Sequence, residues 1–282
     1  MFLGMRKSWE WLALFLGVGA VSWGGPLVRC TSAPALTVAA WRMLLSAAVF
    51  LPFGFRSWRG KEVRSAIIAG AFLAAHFAFW IQSLRLTSVA SSVVLVNTNP
   101  LFVGLFSWLL GEVPSRSFWI GVAISLVGTV LIGLGDFSLS SAALLGDVLA
   151  VLGALAASGY LLLGRSARKT MPLIPYASLT YFSAALFLWP AALAFASPLP
   201  QSSDWLWIVL IALIPQVLGH TTLNWALGRF PAFAVAVSIL GEPIGAALWA
   251  FLLFGEKPHP VQGVGMALVI FGILGSLRPN KI

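Results

Sequence analysis

Glu242 and Pro243 lie near the middle of an apolar segment, Ser238 to Pro258, that is long enough to cross a bilayer. A carboxylate at membrane depth costs about 3 kcal/mol or more and usually faces a protein interior or a cavity. A proline there removes one helix hydrogen bond and frees the carbonyl of Ile239. Glu242 is therefore predicted to exchange a proton or to bind an ammonium group. The alternative is that it stays protonated and caps the backbone groups freed at Pro243.

A second apolar segment, Val94 to Pro114, has the same plan, with Pro100 inside it. Asn97 and Asn99 come just before Pro100, where the helix is expected to break. Unwound backbone at membrane depth is tolerated only where it meets protein or water. The two amides are predicted to bind a polar ligand group or, as the alternative, to cap the broken helix. Pro100 and Pro243 are the predicted hinges.

Two histidines lie at matching places in the two halves of the chain. His76 is four residues from Trp80, and His220 is four residues from Asn224, so each pair shares one helix face. Histidine titrates near neutral pH, and these residues are predicted to line a pocket. The alternative is that each histidine bonds to a neighbouring helix. Metal binding is not expected, because no Cys, His and Asp cluster has ligand spacing.

Aromatic side chains supply the predicted apolar walls of this pocket. Trp23, Trp80 and Tyr160 are the first candidates, and Ser158 completes the predicted binding set. Further wall candidates are Trp108, Trp225 and Trp249. Arg42, about two turns inside its segment, is expected to extend toward the membrane surface or to pair locally. Glu242, His76 and His220 are then the titratable groups expected in the pocket, which favours neutral or zwitterionic ligands.

The composition excludes a soluble domain. The chain has 282 residues, of which 60% are hydrophobic and only 9% are charged, whereas soluble domains carry about 25% charged residues. Its net charge of +9 comes from scattered Lys and Arg, a distribution that indicates membrane orientation and not nucleic-acid binding. The single cysteine allows no internal disulfide. No phosphate loop or nucleotide fingerprint is present, so no cofactor is expected.

Ten segments are apolar enough to form spanning helices. They run from Trp9 to Val28, Leu36 to Phe53, Ser65 to Leu84, Ala90 to Leu110, Phe118 to Leu134, Asp147 to Leu163, Tyr176 to Phe195, Trp205 to Leu227, Ala232 to Phe254 and Val261 to Leu277. Of the 17 basic residues, three (Arg29, Arg85 and Lys257) fall on one side, Arg42 lies inside a segment, and the other thirteen fall on the opposite side. This bias predicts that both termini are cytoplasmic in a multi-pass protein of the inner (cytoplasmic) membrane.

The chain also repeats itself. Adding 144 takes His76 to His220 and Arg85 to Arg229, and an offset of 136 takes Ser22 to Ser158. We therefore predict two five-helix repeats, residues 1–138 and 139–282. Because five is odd, the second repeat enters the membrane from the opposite side, and the fold class is all-α integral membrane with ten transmembrane helices in two inverted repeats. Inverted repeats are typical of secondary transporters.

Four short motifs in the segments Val94 to Pro114 and Ser238 to Pro258 indicate a family resemblance. They are Asn97-Thr98-Asn99-Pro100, Gly111-Glu112-Val113-Pro114, Leu240-Gly241-Glu242-Pro243 and Gly255-Glu256-Lys257-Pro258. Over nearly its whole length the chain resembles the drug/metabolite transporter superfamily, of the EamA type. The resemblance implies export of amino acids or other small metabolites through a pocket between the halves. Relatives of this size include the YddG-type aromatic amino-acid exporters, and no motif here assigns the chain to that subgroup.

The predicted function is export of a small metabolite, with an aromatic or hydrophobic amino acid favoured, by alternating access. The expected partners are a small-molecule substrate and the lipid bilayer, with no nucleic acid and no obligatory protein partner. Carriage of other neutral or zwitterionic metabolites or drugs is the alternative, and a channel is a third possibility. A remote alternative is an intramembrane serine protease, in which His220 would activate Ser158. An intramembrane protease would not account for the inverted repeat, which counts against this alternative.

Overall fold

The computed structural model describes residues 8–133, 140–255 and 259–277, and within these residues the chain is helical without a strand. The helices are α1 (Ser8–Val21), α2 (Gly24–Arg29), α3 (Ala35–Gly54), α4 (Glu62–Leu86), α5 (Val89–Val96), α6 (Asn99–Leu109), α7 (Arg116–Gly133), α8 (Ser141–Arg168), α9 (Leu173–Phe195), α10 (Trp205–Ile211), α11 (Thr221–Leu227), α12 (Ala232–Ile239), α13 (Glu242–Phe254) and α14 (Pro260–Ser276). A π-helical stretch, Ala212–His220, joins α10 to α11.

These helices form ten apolar spans, which confirms the all-helical membrane class. Eight spans are long and apolar enough to cross a bilayer, and two shorter apolar helices, Arg116–Ile132 and Pro260–Ser276, complete the set. Spans 1, 4, 8 and 9 are each built from more than one helix: α1 with α2, α5 with α6, α10 with α11, and α12 with α13. Spans 2, 3, 5, 6, 7 and 10 are α3, α4, α7, α8, α9 and α14.

Span 6 is longer than its apolar window of Asp147 to Leu163. It begins at Ser141, where the side chain of Ser140 accepts a hydrogen bond from the backbone N–H of Ala143. It ends at Arg168, and Arg165 and Arg168 lie in its last turn. Long basic side chains in this position can extend to a membrane surface. Hydropathy therefore located the span, and the helix continues beyond the apolar window by about one and a half turns at each end, with Ser140 capping its start.

Spans 4 and 9 are broken in the same way. Span 4 is interrupted at Asn97 and Thr98, and span 9 at Leu240 and Gly241, before a new helix begins with a proline in its first turn. Proline is compatible with the first turn of a helix, where its missing N–H leaves no bond unmade. The two prolines therefore fix where α6 and α13 begin.

Two further features bear on the predicted motifs. Gly111 and Gly255 have φ angles of 87° and 70°, a region that favours glycine, at the end of spans 4 and 9. The rest of the second motif, Glu256 to Pro258, lies outside the described residues, as does the predicted boundary between residues 138 and 139. Five basic residues used in the orientation argument lie outside the described residues: Arg6, Lys7, Lys257, Arg278 and Lys281.

Close packing along small residues joins the spans in pairs. α7 packs on α14, and a Cβ added at Gly121 would lie 2.3 Å from the carbonyl oxygen of Gly272. About two turns further along, a Cβ at Gly128 would lie 2.5 Å from the carbonyl of Gly265. α3 packs on α9 and α4 packs on α8. Small residues let helices approach this closely in membranes.

Polar bonds tie the spans together at both ends of the bundle. At one end Arg85 donates to the carbonyl of Thr31 at 2.9 Å, and the backbone N–H of Ser32 donates to Asp204 at 2.9 Å. At the other end Arg229 pairs with Glu10 at 3.2 Å. Opening either end of the bundle requires these bonds to be exchanged for bonds to water or to another span.

Candidate functional site: a polar cavity among seven spans

A cavity lies at the centre of the bundle, where spans 1, 2, 3, 4, 6, 8 and 9 meet. Its volume is about 40 Å³, which is room for a few water molecules. The lining residues are Val21, Gly24, Arg42, His76, Phe77, Trp80, Val96, Asn97, Asn99, Ala157, Tyr160, Leu161, His220, Leu223, Ile239 and Glu242. Spans 1, 3, 4, 6, 8 and 9 carry the binding residues predicted from the sequence, so these six spans were expected here. Span 2 was not, and it enters through Arg42.

Seven of the ten predicted binding residues line this cavity. They are His76, Trp80, Asn97, Asn99, Tyr160, His220 and Glu242. The fold brings them together from five separate spans, because both helix breaks lie at the same depth as the histidines. Their role in binding stays a prediction.

The other three predicted residues lie behind the cavity wall. Trp23 stacks on Trp249 with ring centroids 4.0 Å apart. Ser158 is fully buried, and its hydroxyl is within hydrogen-bond distance of two backbone carbonyls. The amide oxygen of Asn224 accepts a hydrogen bond from Tyr160 at 2.5 Å, and its nitrogen donates to Tyr181 at 3.1 Å. Asn224 therefore contacts a lining side chain, Tyr160, and Ser158 contacts the backbone of another lining residue, Asn99.

Arg42 corrects the sequence analysis. It does not extend toward the membrane surface: only 1% of the residue is exposed. Its Nε donates to the side-chain oxygen of Gln216 at 2.8 Å, so the expected local pairing is present. Its guanidinium carbon lies 3.8 Å from the centroid of the Phe77 ring. The cavity therefore holds a cation in addition to the three expected titratable groups. An arginine two turns inside an apolar helix was the sequence signal that could have indicated this.

The two histidines differ in their partners. His76 Nδ1 lies 2.9 Å from the carbonyl oxygen of Gly153. Because a carbonyl only accepts, Nδ1 carries the hydrogen and Nε2 is the acceptor of the neutral ring. His220 packs edge-on against Phe77, with centroids 5.3 Å apart, and its Nδ1 has no hydrogen-bond partner among the described residues. The alternative of a bond to a neighbouring helix therefore applies to His76 and not to His220 Nδ1.

The two asparagines of span 4 also differ in their hydrogen bonds. Asn97 donates its side-chain N–H to the carbonyl of Val93 at 2.8 Å, so it caps the end of α5 as the alternative interpretation expected. Asn99 is the first residue of α6, and its side-chain oxygen has no partner in the described part of the chain. Asn99 is therefore the amide that is free to bind a ligand.

Glu242 is the first residue of α13 and lines the cavity. Unpaired N–H groups at a helix N-terminus attract a carboxylate in this position. The ion pairs found among the described residues join other side chains, Lys169 with Glu112 and Arg229 with Glu10. Glu242 and Arg42 thus share one cavity without a direct ion pair between them.

Two earlier expectations are not met by the geometry. Trp108, considered as a pocket wall, is 56% exposed on the outside of the bundle. Ser158, considered as a nucleophile, is 3.1 Å from the carbonyl of Asn99 and 2.8 Å from that of Ala154. A carbonyl cannot take a proton from a serine hydroxyl as a histidine does, so this contact does not activate the serine.

Comparison with known proteins agrees with the helical architecture. The chain is 29% identical over 240 residues to an uncharacterized transporter of Archaeoglobus fulgidus, covering 82% of this chain and 81% of the relative. It is 28% identical over 296 residues to the uncharacterized transporter YwfM of Bacillus subtilis, with 95% of each covered. The pseudopaline exporter CntI of Pseudomonas aeruginosa is 26% identical over 226 residues, which cover 78% of this chain and 77% of the relative.

A protein of known crystal structure superposes on the chain with a TM-score of 0.80, covering 96% of this chain and 97% of the other, at 20% identity. At this identity the likeness shows a shared fold. The model of the EamA-like transporter family matches the chain twice, over residues 9–134 and 144–278. The chain is therefore a multi-pass membrane protein that belongs to the EamA-like transporter family.

Proposed function

We propose that this transporter exports small metabolites, with aromatic or hydrophobic amino acids favoured, by alternating access across the cytoplasmic membrane. The observation that carries the proposal is the cavity at the meeting of seven spans, which combines aromatic walls with an amide and a carboxylate. In a conformation whose cavity is wider than these 40 Å³, Trp80, Phe77 and Tyr160 supply apolar surface for a side chain, and Glu242 supplies a charge for an ammonium group. The relative named as an exporter supports the outward direction.

The architecture of the proposal is two inverted repeats, residues 1–138 and 139–282, with cytoplasmic termini. Two matches to one family model, and two spans broken in the same way, support this division. In inverted-repeat transporters the two halves exchange conformations and so expose one site to each side in turn. The breaks at Pro100 and Pro243 are the hinges of this motion.

Counterflow in proteoliposomes tests the function. Vesicles loaded with unlabelled amino acids should accumulate labelled phenylalanine, tryptophan or leucine, with saturation, and at a rate that external competitor lowers. A channel would show no such exchange. If no amino acid exchanged, the cargo would be sought among other neutral or zwitterionic metabolites and the amino-acid proposal would be withdrawn.

The same assay with and without an imposed pH gradient tests coupling. If Glu242 couples transport to protons, a gradient should drive accumulation in the native protein and should not in Glu242→Gln. Glu112→Gln is the matched control, because Glu112 pairs with Lys169 at 3.7 Å and lies outside the cavity. Unchanged exchange in Glu242→Gln, with no effect of the gradient, would assign Glu242 a structural role.

A further inference from the structure

The cavity contains more unpartnered polar groups than its scaffold requires. Among its lining residues, as far as the structure describes them, four buried polar atoms lack a hydrogen-bond partner: Arg42 Nη1, Trp80 Nε1, Asn99 Oδ1 and His220 Nδ1. Buried polar groups are normally satisfied, and those that are not indicate a ligand or water. Most membrane-buried groups in this chain do have partners, as His76, Asn97 and Asn224 show. Of the nine buried polar atoms without a partner among the described residues, four belong to residues that line this one cavity, and a fifth, Gln216 Nε2, belongs to the residue that contacts Arg42.

Arg42 has the strongest need for a ligand. A buried guanidinium without a carboxylate partner costs several kcal/mol, which hydrogen bonds to neutral groups only partly offset. Gln216 accepts from Nε, and the Phe77 ring covers one face of the guanidinium. These two contacts orient Nη1 and leave it without an acceptor. Water can complete its hydrogen bonding, but water brings no negative charge.

The unpartnered atoms separate by chemistry. Arg42 and Trp80 are donors from spans 2 and 3. Of the other two, Asn99 offers an acceptor oxygen from the break of span 4, and His220 Nδ1 comes from span 8. Glu242, which also lines the cavity, offers a carboxylate from the break of span 9. A ligand with a negative group at one end and a positive group at the other satisfies both sets. Arginine binds carboxylates through paired N–H groups in a fixed fork, which suits this role better than lysine does.

We propose that Arg42 is the binding residue for the carboxylate of the transported substrate, with Trp80 Nε1 as a second donor, and that Glu242 and Asn99 face the positive end. This deepens the proposed function, because it names the zwitterion as the ligand class. It also adds a cation to a pocket for which the sequence analysis expected only Glu242, His76 and His220 as titratable groups. Gln216 and Phe77 are positioning residues, since they touch the guanidinium and hold its orientation.

Four ligands that share one phenyl ring test the proposal on the purified protein: L-phenylalanine, L-phenylalaninamide, 3-phenylpropionate and 3-phenylpropionamide. Binding is measured by quenching of tryptophan fluorescence and by calorimetry. We expect each carboxylate to bind at least tenfold more tightly than its amide. Arg42→Gln should erase that preference, while changing the affinity for each amide less than twofold. Arg42→Lys should retain part of the preference, because the charge remains and the fork does not.

Arg85→Gln is the matched control, because Arg85 is satisfied by the carbonyls of Thr31 and Ala33 and lies outside the cavity. Equal affinity for carboxylates and amides in the native protein would overturn the proposal, and that comparison needs no variant to fold. So would an Arg42→Gln protein that loses affinity for all four ligands alike. If 3-phenylpropionate binding depends on Arg42 but no amino acid exchanges in counterflow, the amino-acid function fails and the carboxylate site stands.

Discussion

The breaks of spans 4 and 9 use one backbone design and present different chemistry. In each, a helix of eight residues ends, two residues intervene, and a longer helix begins whose second residue is proline. The first residue of the longer helix is Asn99 in span 4 and Glu242 in span 9. The same position thus carries a neutral amide in one half of the molecule and an acid in the other.

A serine contacts each of the two breaks. Ser158, in span 6, contacts the backbone carbonyl of Asn99. Its counterpart at the sequence offset of 136, Ser22, meets span 9: its hydroxyl accepts from the indole of Trp249 at 2.9 Å, and a Cβ at Gly245 would lie 2.2 Å from its oxygen. Each break is thus contacted by a serine, through different bonds, and the two breaks present groups that differ in charge. A cavity with an acid at only one break can orient a ligand. A cavity with the same group at both breaks could bind that ligand in two opposite orientations.

The largest effect is expected from removing that asymmetry. Glu242→Gln makes the two breaks alike in charge, and it should lower affinity for a zwitterion by about tenfold or more, since a charged hydrogen bond contributes about 1.5–3 kcal/mol. Affinity for 3-phenylpropionate, which has no ammonium group, should change little. Calorimetry with both ligands measures this. Equal losses for both ligands would mean that Glu242 supports the fold of the break and not the ammonium.

The next largest effect is expected from replacing the prolines that follow the two breaks. Pro243→Ala and Pro100→Ala restore an N–H that can bond to the carbonyl four residues earlier, of Ile239 or Val96, and so extend the helix across the break. Each should slow exchange about fivefold, because one added hydrogen bond stabilises one conformation by about 1 kcal/mol. The maximal counterflow rate measures it, alongside the equilibrium affinity. If the rate stayed at the native value in both variants, the breaks would not be hinges.

A smaller effect separates the two asparagines of span 4. Asn99→Ala should weaken ligand binding about threefold and leave the melting temperature unchanged, because its side-chain oxygen has no partner to lose. Asn97→Ala should lower the melting temperature by about 3 °C and leave affinity unchanged, because it removes the bond to Val93. Thermal unfolding and titration of both variants check this. The reverse pattern would exchange the two roles.

The smallest effect is expected at the support of the first break. Ser158→Ala should lower the melting temperature by about 2 °C, because it deletes one buried hydrogen bond. Transport should stay within twofold of native. A complete loss of function with normal folding would contradict a supporting role and would return attention to the hydroxyl as a reactive group.

The sequence predicted the parts of this structure that local pattern controls. Apolar length located all ten spans, and the mid-span prolines located both breaks. Arg42 was misplaced because hydropathy reports the depth of a residue along its helix and not the direction that it faces. Its partners Gln216 and Phe77 lie on spans 8 and 3, and only the fold brings them to span 2. Likewise, spacing placed Asn97 and Asn99 together, but only their hydrogen bonds distinguish the cap from the free amide.

The helices α7 and α14 pack closely at Gly121, Gly128, Gly265 and Gly272, a line of contact that we call the glycine seam. It has a consequence for how the protein could be assembled. Gly121 and Gly128 come from the first half of the chain, and each is covered by the backbone of the second half at Gly272 and Gly265. Neither half covers its own seam. Two polypeptides produced separately, one for each half, would therefore expose matching narrow strips to lipid and should recombine along them, and a bulky residue at either strip would stop that complementation.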